Sequence, residues 1–591
     1  YSEEDSLGNV YDSHLMKRLL RYLKPYKWYV FLSFILLIVS SGFHLIGPHL
    51  IKIGIDKYIM NKDFSGLSFL SAIYLIILIS GFVIGLLYMY IMQIIGQRVM
   101  YDMRMEIFEH LQGLSVSYFD KNPVGRLITR ITTDVDALNE LFASGVVAIF
   151  GDIFTLLGII GFLLYYNVKL AIITFSVVPV LFVAAFLFKI KARKSFREIR
   201  IRIARINSFL QENITGMKIT QIFNREEKNY NKFDELNKDH LDAYIQTIFY
   251  YAVFYPAVEI ISSLAIALVV FYGGISVLKD VLTLGGLVAF ITYAQRFYRP
   301  IQDLSEKYNI LQSAMAASER IFKLLDTRLI IPEPQFPEKI ERIGGNIEFK
   351  NVWFAYNEDY VLEDMSFDVE QGQSLAIVGA TGAGKTTMIN LLSRLYEPNK
   401  GSIFVDGVNI RNIGKKFLRR NIGVVLQDVF LFSGDIKYNI SLGDENIGFE
   451  KIKSAAVDVD IEKFITKLPN GYSEDIKERG GILSFGQRQL LAFARALAYD
   501  PRILVLDEAT SNIDTETEVL IQNALKKLMK GRTSIIIAHR LSTIKNADKI
   551  IVIHKGRIRE EGTHLQLLEQ KGIYYKLYLL QYKEQEKIYD L

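Results

Sequence analysis

The stretch GATGAGKTT, which runs from Gly379 to Thr387, decides the fold of the second half of the chain. It matches the pattern G-x-x-x-x-G-K-[ST], follows the apolar run LAIVG and precedes the helical segment MINLLSRL. In such a loop the glycines let backbone N–H groups surround phosphate, Lys385 reaches the terminal phosphates, and Thr386 offers a hydroxyl to a divalent cation. The pattern therefore predicts a nucleotide phosphate site made of Gly379, Ala380, Thr381, Gly382, Ala383, Gly384, Lys385, Thr386 and Thr387.

Short β-branched runs alternate with helical segments on both sides of this loop. The runs are NIEFKNVWFAY, SLAIVG, NIGVVLQ, RILVLDE, TSIIIAH and KIIVIHKGRIREEG. This alternation predicts an α/β domain with a mostly parallel sheet. Because ligands bind such sheets at the carboxyl ends of the strands, polar residues that directly follow an apolar run are the next candidates.

Two carboxylates, Asp507 and Glu508, follow the apolar run RILVL. We expect Asp507 to hold Mg²⁺ and Glu508 to polarise the attacking water during catalysis. Without the phosphate loop, both would be interpreted as ordinary solvated residues at the end of a strand.

Three further residues each have a functional and a structural interpretation. His539 follows TSIIIA and either contacts the terminal phosphate or caps a helix near RLSTI. Gln427 ends IGVVLQ and is either a metal ligand that senses a neighbouring domain or the first polar residue of a loop. Tyr356 offers a ring that can stack on a purine, although aromatic residues in strands usually belong to the core.

The composition requires at least two domains of different character. The chain has 591 residues, of which 50% are hydrophobic and 23% charged, and single cores stop growing at roughly 250–300 residues. A membrane domain joined to a soluble domain explains this mixture. The net charge of +5 gives no support to nucleic-acid binding. The absence of cysteine excludes disulfides and thiolate metal sites.

The first half of the sequence contains six long apolar runs. Residues 12–27 precede them as a basic amphipathic helix that is predicted to lie on the membrane surface. The run from Trp28 exceeds the roughly 20 residues that cross a bilayer, and no signal-peptide cleavage site follows it. The six predicted spans are residues 28–58, 66–96, 143–166, 168–190, 247–278 and 283–301.

Basic residues predict the orientation of these spans. The long connections between spans two and three and between spans four and five are rich in Arg and Lys, so we expect them to face the cytoplasm together with both termini. Residues 328–345 contain three prolines and two glycines, which break the helical pattern. The predicted organisation is a transmembrane domain over 1–327 with long helical extensions, a linker over 328–345 and a nucleotide-binding domain over 346–591.

The order of these motifs resembles the nucleotide-binding domain of the ATP-binding cassette superfamily. The motifs are Tyr356, the phosphate loop, Gln427, LSFGQ (483–487), Asp507 with Glu508, SNID (511–514) and His539. The resemblance implies ATP and Mg²⁺ as cofactors. Tyr356 falls on the adenine-stacking aromatic residue, Asp514 on the D-loop and His539 on the switch histidine. The residues expected around Mg²⁺ are Thr386, Gln427 and Asp507.

Six spans ahead of one cassette resemble a bacterial half-transporter of the multidrug and lipid exporter type. Residues 117–138 and 207–233 are similar to the intracellular loops of that family, which hold short coupling helices. The implied fold is the type I ABC exporter fold, also called the type IV ABC transporter fold: an all-α six-helix transmembrane domain followed by an α/β P-loop NTPase domain. The implied location is the bacterial inner membrane, with the ATPase domain in the cytoplasm.

The resemblance implies ATP-driven efflux of hydrophobic or amphipathic compounds by alternating access, in a dimer within a lipid bilayer. A homodimeric lipid flippase or a peptide exporter is the alternative. The six spans exclude a soluble cassette ATPase, no regulatory insert supports an ATP-gated channel, and importers commonly keep membrane and cassette domains on separate chains. Candidate cavity residues, with an interhelical pair or a snorkelling end residue as the alternative, are Asp152, Glu259, Gln295 and Arg296.

The turn LSFGQ departs at Phe485 from the family's usual Leu-Ser-Gly-Gly-Gln. In this superfamily the turn closes on ATP held by the second subunit. Either Phe485 points away and two identical chains form two working sites, or the chain pairs with a different half-transporter and closes a poorly hydrolysing site. We expect the heterodimer, because a bulky side chain replaces a glycine that lets backbone approach phosphate closely. The turn consists of Leu483, Ser484, Phe485, Gly486 and Gln487.

Overall fold

The computed structural model describes residues 12–338, 340–507, 515–537 and 544–582. The chain divides into two compact units. The first holds residues 12–112 and Val124–Thr327, and the second holds Gly113–Pro123 together with the residues from Arg328 onward. The segment 113–123 therefore belongs to the second unit, although the sequence places it between two predicted spans. The predicted domain bounds stay a prediction.

The first unit consists of helices. Helix α1 begins after Asp12, whose carboxylate accepts a hydrogen bond from the His14 N–H at 2.7 Å, and this contact fixes its first turn. The helices over the first 325 residues, of which α4 belongs to the second unit, are α1 Ser13–Arg21, α2 Lys27–Ile53, α3 Phe64–Gly113, α4 Val116–Lys121, α5 Val124–Thr129, α6 Val135–Glu140, α7 Val146–Tyr166, α8 Val168–Phe175, α9 Val178–Thr215, α10 Met217–Ile222, α11 Glu226–Leu278 and α12 Leu284–Leu325.

Five helical segments among the described residues are long and apolar enough to cross a membrane. They are Lys24–Ile59, Phe64–Gly113, Val124–Tyr166, Val168–Thr215 and Glu226–Leu278. The segment around predicted span four is two helices, because α8 ends at Phe175 and α9 begins at Val178 with a proline in its first turn. The sixth predicted span, 283–301, lies on α12, which is not one of the five, and it stays a prediction.

The second unit contains two sheets. In the described part of the chain a four-stranded antiparallel sheet has the order β2-β1-β4-β5, and a six-stranded sheet has the order β10-β9-β3-β8-β7-β6. Strands β9, β3, β8, β7 and β6 run parallel, and β10 pairs antiparallel with β9. The strands are β1 Ile347–Ala355, β2 Tyr360–Val369, β3 Ser374–Gly379, β4 Lys400–Val405, β5 Val408–Asn409, β6 Ile422–Val425, β7 Ile503–Asp507, β8 Thr533–Ile537, β9 Lys549–His554 and β10 Arg557–Gly562.

Helices cover one face of the six-stranded sheet. Alternate residues of β3 point to opposite cores: Ala376 and Val378 join the helical core, whereas Leu375 and Ile377 join the core shared with the antiparallel sheet. Burial on both faces explains why the parallel strands are apolar at nearly every position. The helices of this unit beyond α4 are α13 Lys385–Leu392, α14 Lys415–Asn421, α15 Ile436–Ser441, α16 Phe449–Asp458, α17 Glu462–Ile465, α18 Phe485–Tyr499, α19 Thr515–Met529, α20 His564–Glu569 and α21 Ile573–Leu577.

This architecture confirms the predicted fold class, in which a helical region with several apolar helices precedes an α/β region. The predicted alternation of strands and helices and the mostly parallel sheet are both found. All five parallel strands present their carboxyl ends at one edge of the sheet, which is where the predicted phosphate loop follows β3.

Candidate functional site

The phosphate loop joins β3 to α13 and needs glycine at two kinds of position. Gly382 and Gly384 have φ of +81° and +100°, in the left-handed region that residues with a Cβ seldom adopt. A Cβ on Gly379 would lie 2.4 Å from the Ile553 carbonyl oxygen, and one on Gly384 would lie 2.5 Å from Leu362 Cδ2. The loop backbone is therefore held close to the sheet and turned in a way that only this glycine pattern allows.

The ammonium of Lys385 lies inside the loop. Its Nζ donates hydrogen bonds to the carbonyl oxygens of Gly379 at 2.8 Å and Ala380 at 3.0 Å, and the side chain is buried. Burial lowers the pKa of Lys385 below its usual value, while the nearby Asp507 carboxylate acts in the opposite direction. A positive charge held among backbone groups at a helix start forms a site for an anion such as phosphate.

Two side chains with oxygen atoms that could bind a metal ion lie close together where the loop faces the end of β7. Thr386 Oγ1 donates to Asp507 Oδ2 at 3.2 Å, and Asp507 is only 8% exposed. A hydroxyl and a carboxylate at this spacing have the hard-oxygen chemistry that Mg²⁺ prefers. Gln427 is exposed and follows β6, the strand that pairs with β7, so it belongs to the same edge of the sheet.

Tyr356 stands against the start of α13. Its hydroxyl lies 3.3 Å from Thr387 Oγ1 and accepts a hydrogen bond from Asn390 Nδ2 at 3.3 Å. Its ring packs edge-on against Phe354 and Tyr396, with centroids 4.8 and 5.1 Å away, and about a third of the residue is exposed. If the phosphates of a purine nucleotide occupied the loop, this ring would be available to stack on its base.

The turn LSFGQ begins α18. Ser484 and Gln487 form a reciprocal capping box: the Gln487 N–H donates to Ser484 Oγ at 3.2 Å, and the Ser484 N–H donates to Gln487 Oε1 at 2.9 Å. Leu483 is buried in the helical core. Contacts within its own unit therefore fix the conformation of the turn without a ligand.

Phe485 occupies the first position of α18 and is half-buried. Its φ is not positive, so the backbone at this position does not require glycine. The glycine that packing does require is Gly486, where a Cβ would lie 2.1 Å from Thr517 Cγ2 of α19. An effect of Phe485 on the approach to phosphate would therefore come from the bulk of its side chain and not from backbone conformation.

Several expected site residues lie outside the described residues. They are Glu508, Asp514 with the rest of SNID, and His539. The described strands lead directly to two of these positions, because β7 ends at Asp507 and β8 ends at Ile537. Their expected roles stay predictions.

One contact at this site has no counterpart in the sequence motifs. Tyr396 donates its hydroxyl hydrogen to Asp120 of α4, and this bond attaches the segment 113–123 to the second unit. Burial and the Asp120 carboxylate both raise the pKa of Tyr396. Because Tyr396 also packs against the Tyr356 ring, α4 is two side chains away from the candidate purine position. The sequence offers no local pattern for this contact, which joins residues 276 positions apart.

The candidate cavity residues of the first unit divide into two groups. Asp152 forms an ion pair with Lys307, and both side chains are mostly buried, as expected of an interhelical pair. Arg296 Nη1 donates to the His44 carbonyl oxygen at 2.6 Å. Glu259 and Gln295 are exposed in this chain. No group of three or more acidic or histidine side chains that could hold a metal occurs among the described residues.

Comparison with known proteins identifies two families in this sequence. A family model of the ABC transporter transmembrane region matches residues 30–301, and a model of the ABC transporter family matches residues 362–511. The two matches cover both the helical region and the phosphate loop with its neighbouring strands.

The relatives cover nearly the whole chain. It is 40% identical to the uncharacterized ABC transporter ATP-binding protein YknV of Bacillus subtilis, over 98% of this chain and 97% of the relative. It is 39% identical to the probable multidrug resistance ABC transporter ATP-binding/permease protein YheH of the same species, over 84% of this chain and 74% of the relative. An ATP-dependent lipid A-core flippase of Syntrophus aciditrophicus is 35% identical, over 96% of this chain and 95% of the relative.

Proposed function

This chain belongs to the ABC transporter family, and from that membership we propose that it exports hydrophobic or amphipathic compounds as one half of a dimeric multidrug exporter. The chain is a membrane-embedded, ATP-hydrolysing member of the exporters in that family. The observation that carries the proposal is that the phosphate loop, closed on Lys385, lies on the same polypeptide as the five helical segments that, among the described residues, are long and apolar enough to cross a membrane.

Each residue of the nucleotide site has a distinct task in this proposal. The loop N–H groups and Lys385 bind the phosphates, while Tyr356 stacks on the adenine. Thr386, Asp507 and Gln427 would hold Mg²⁺, which supplies neutralisation of phosphate charge when bound. Glu508 accepts a proton from the attacking water, and His539 orients that water against the terminal phosphate.

The dimer is proposed to be a heterodimer with one poorly hydrolysing site. Phe485 stands in the turn that would face ATP held by the partner, and its bulk keeps that turn further from phosphate than glycine would. The backbone at 485 supports the opposite view, a homodimer with two working sites, because φ there is not positive and a helix start leaves its first N–H groups without i−4 carbonyl partners, of which Ser484 caps that of Gln487.

Turnover of the chain purified alone tests the heterodimer. We expect slow ATP hydrolysis from the chain by itself and faster hydrolysis once a second half-transporter from the same cell is added. Robust, cooperative hydrolysis by the chain alone, in a homodimer of the expected mass, would contradict the heterodimer and leave ATP-driven export untouched.

Transport would follow from closure of two cassettes on ATP. Converting one conformation almost wholly into another needs about 5.5 kcal/mol of differential binding, which ATP held between two cassettes can supply. Closure of the cassettes must also move the transmembrane helices. Segment 113–123 supports such coupling, because its helix α4 is hydrogen-bonded through Asp120 to Tyr396 and follows α3 in sequence. The short helix α10 lies within the second predicted loop and is the other candidate coupling helix.

The class of substrate is tested by stimulation of hydrolysis. Proteoliposomes would be supplied with aromatic cationic drugs, with lipid A-type lipids and with peptides, and we expect the drugs to stimulate hydrolysis most. Two relatives are named for multidrug resistance or export and two others for lipid A-core flipping, so a homodimeric lipid flippase stays the second candidate. Stimulation by lipid alone would favour it over the drug exporter.

The location follows from the same sequence features. We propose the inner membrane of a bacterium, with the ATPase domain and both termini in the cytoplasm, because the long connections are the basic ones. Labelling of single cysteines introduced at Lys62 and at Lys218 from either side of the membrane would test the orientation, since the chain has no native cysteine.

A further inference from the structure

Helix α9 carries a band of basic side chains where its apolar part ends. The basic band consists of Lys191, Arg193, Lys194 and Arg197, all four exposed. None of them forms an ion pair with another residue of the described chain. Three pairs among them, Lys191 with Lys194, Arg193 with Arg197 and Lys194 with Arg197, are three or four residues apart, where like charges on a helix repel, and Glu198 is the acid that follows them on α9. An anion beside the helix would remove this repulsion.

The position along the chain places the basic band at the level of lipid headgroups. From Val168 to Phe188 there are about 21 residues, with Lys169 at the far end as the single charge, and they extend about 31 Å at ~1.5 Å per residue. The hydrocarbon core of a bilayer is about 30 Å thick. Lys191 then lies about 5 Å and Arg197 about 13 Å beyond Phe188, so the near end of the band lies within the Debye length of about 8 Å at physiological salt and the far end lies beyond it.

The helix that packs against the basic band adds aromatic rings and no acid. Ser195 Oγ lies 2.5 Å from Thr247 Oγ1 of α11, which sets the register of the two helices. Between Asp242 and Glu259, over residues 243–258 around Thr247, α11 contains no Asp or Glu. It contributes Tyr244 and Tyr255, 50% and 61% exposed, of the kind that collects at membrane interfaces.

From these observations we propose that the basic band binds the phosphate groups of anionic phospholipids in the adjacent leaflet, with the exposed tyrosines of α11 beside it. Arginine binds phosphate through paired N–H groups and lysine as a point charge. The inference rests on the proposed membrane crossing of α8 and α9. A lipid held here would fix the depth at which the long extension of α9 leaves the bilayer, so headgroup charge would influence how readily α9 moves.

The test measures lipid binding without ATP, so that an inactive ATPase would not affect it. The full chain would be titrated with phosphatidylglycerol or phosphatidylcholine, and bound lipid counted by native mass spectrometry. We expect a preference for phosphatidylglycerol that falls by at least about tenfold when Lys191, Arg193, Lys194 and Arg197 are all changed to Gln, because each basic residue near the surface contributes about fivefold. The preference should also fall with added salt.

Two further variants keep the result interpretable. Lys451, Lys453, Lys463 and Lys467 are exposed on or near α16 and α17 of the second unit, and their change to Gln removes the same charge elsewhere. This control should bind phosphatidylglycerol as the parent does. Exchanging Lys and Arg within the basic band keeps its charge and should hold the affinity within about twofold. Equal loss in the control, or no loss in the Gln variant, would overturn the proposal.

Two other occupants of the basic band would also contradict it. If soluble glycerol phosphate displaces the lipid at equal concentration, the site binds free anions and not a membrane surface. An Arg193→Cys variant, unique in a cysteine-free chain, can carry a spin label. Contact of that label with a second copy of the chain, instead of with lipid, would assign the band to a protein interface and overturn the lipid site.

Discussion

The loop before α13 and the turn before α18 both place glycine beside the start of a helix, yet they differ in what holds them. The first uses glycines with positive φ and closes around Lys385, which bonds to two of the loop's own carbonyls. The second has an ordinary helical backbone and a Ser484–Gln487 capping box. The first therefore has the arrangement expected of a phosphate site within one chain, whereas the second is a capped helix start whose proposed ligand is held by a partner.

This difference predicts that the two positions will tolerate substitution unequally. At Gly384 both φ and the approach of Leu362 exclude a side chain. At Phe485 neither restriction applies, because the residue begins α18 and has room to be half-buried. A large residue at 485 is therefore compatible with a well-folded cassette, and the effect we propose for it is on ATP held by the partner.

The largest expected effect comes from removing the charge that closes the loop. Lys385→Met deletes the buried ammonium, so we expect ATP hydrolysis to fall by at least about 10²-fold. Lys451→Met, an exposed residue on α16, is the matched control and should keep full activity. Hydrolysis within tenfold of the parent would show that the loop is not the phosphate site.

The second effect concerns the packing of the α18 turn. Gly486→Ala would push a Cβ against Thr517 Cγ2 at 2.1 Å, so we expect a loss of about 1–3 kcal/mol in the free energy of unfolding, measured by thermal or denaturant unfolding. Thr517→Ser removes the methyl group concerned, so the double variant should regain most of this loss. Gly125→Ala, inside α5 with open space around the position, should not lower the free energy of unfolding.

The third prediction separates bulk from backbone at position 485. Because φ there is not positive, Phe485→Ala and Phe485→Gly should raise ATP hydrolysis of the chain alone severalfold and to a similar extent. The measurement is steady-state hydrolysis at saturating ATP. A rise with Gly only would mean that backbone conformation matters, and no rise with either would remove the argument for a heterodimer.

The smallest expected effect is a change of the free energy of unfolding with pH that is caused by Lys385. Burial lowers the pKa of Lys385 below its usual 10.5, so the unfolded chain holds the proton more tightly than the folded chain. Between the lowered pKa and 10.5, the free energy of unfolding therefore rises with pH, and below that window the penalty is constant. We expect the parent to gain stability relative to Lys385→Met across this alkaline window. A constant difference between the two would contradict the burial of a charged ammonium.

Much of the phosphate site could be predicted because its residues are close in sequence. Gly379 to Thr387 form one strand–loop–helix unit, and Asp507 is the last residue of an apolar strand, so local pattern alone placed them. The contact between Thr386 and Asp507 then follows from the parallel order of β3, β8 and β7. For Tyr356 the sequence left two interpretations, a ring that stacks on a purine and a core residue, since aromatic residues in strands usually belong to a core.

Other features depend on residues far apart, and no local pattern reports them. The expectation at 485 concerned the bulk of a side chain near phosphate, and the structure adds that the backbone there has no positive φ, while the glycine that packing requires is Gly486 against Thr517. The membership of segment 113–123 in the second unit, and its bond from Asp120 to Tyr396, were likewise invisible in the motifs.

The sequence by itself determined the two-part organisation, the parallel α/β sheet, the phosphate loop and the apolar helices, because each is encoded by residues within one or two turns or strands of each other. Only the tertiary structure decided where Lys385 is held, which glycine the α18 turn needs, and to which unit α4 belongs. The physical reason is that these depend on distances between atoms brought together by packing, which hydrophobic period and motif spacing do not specify.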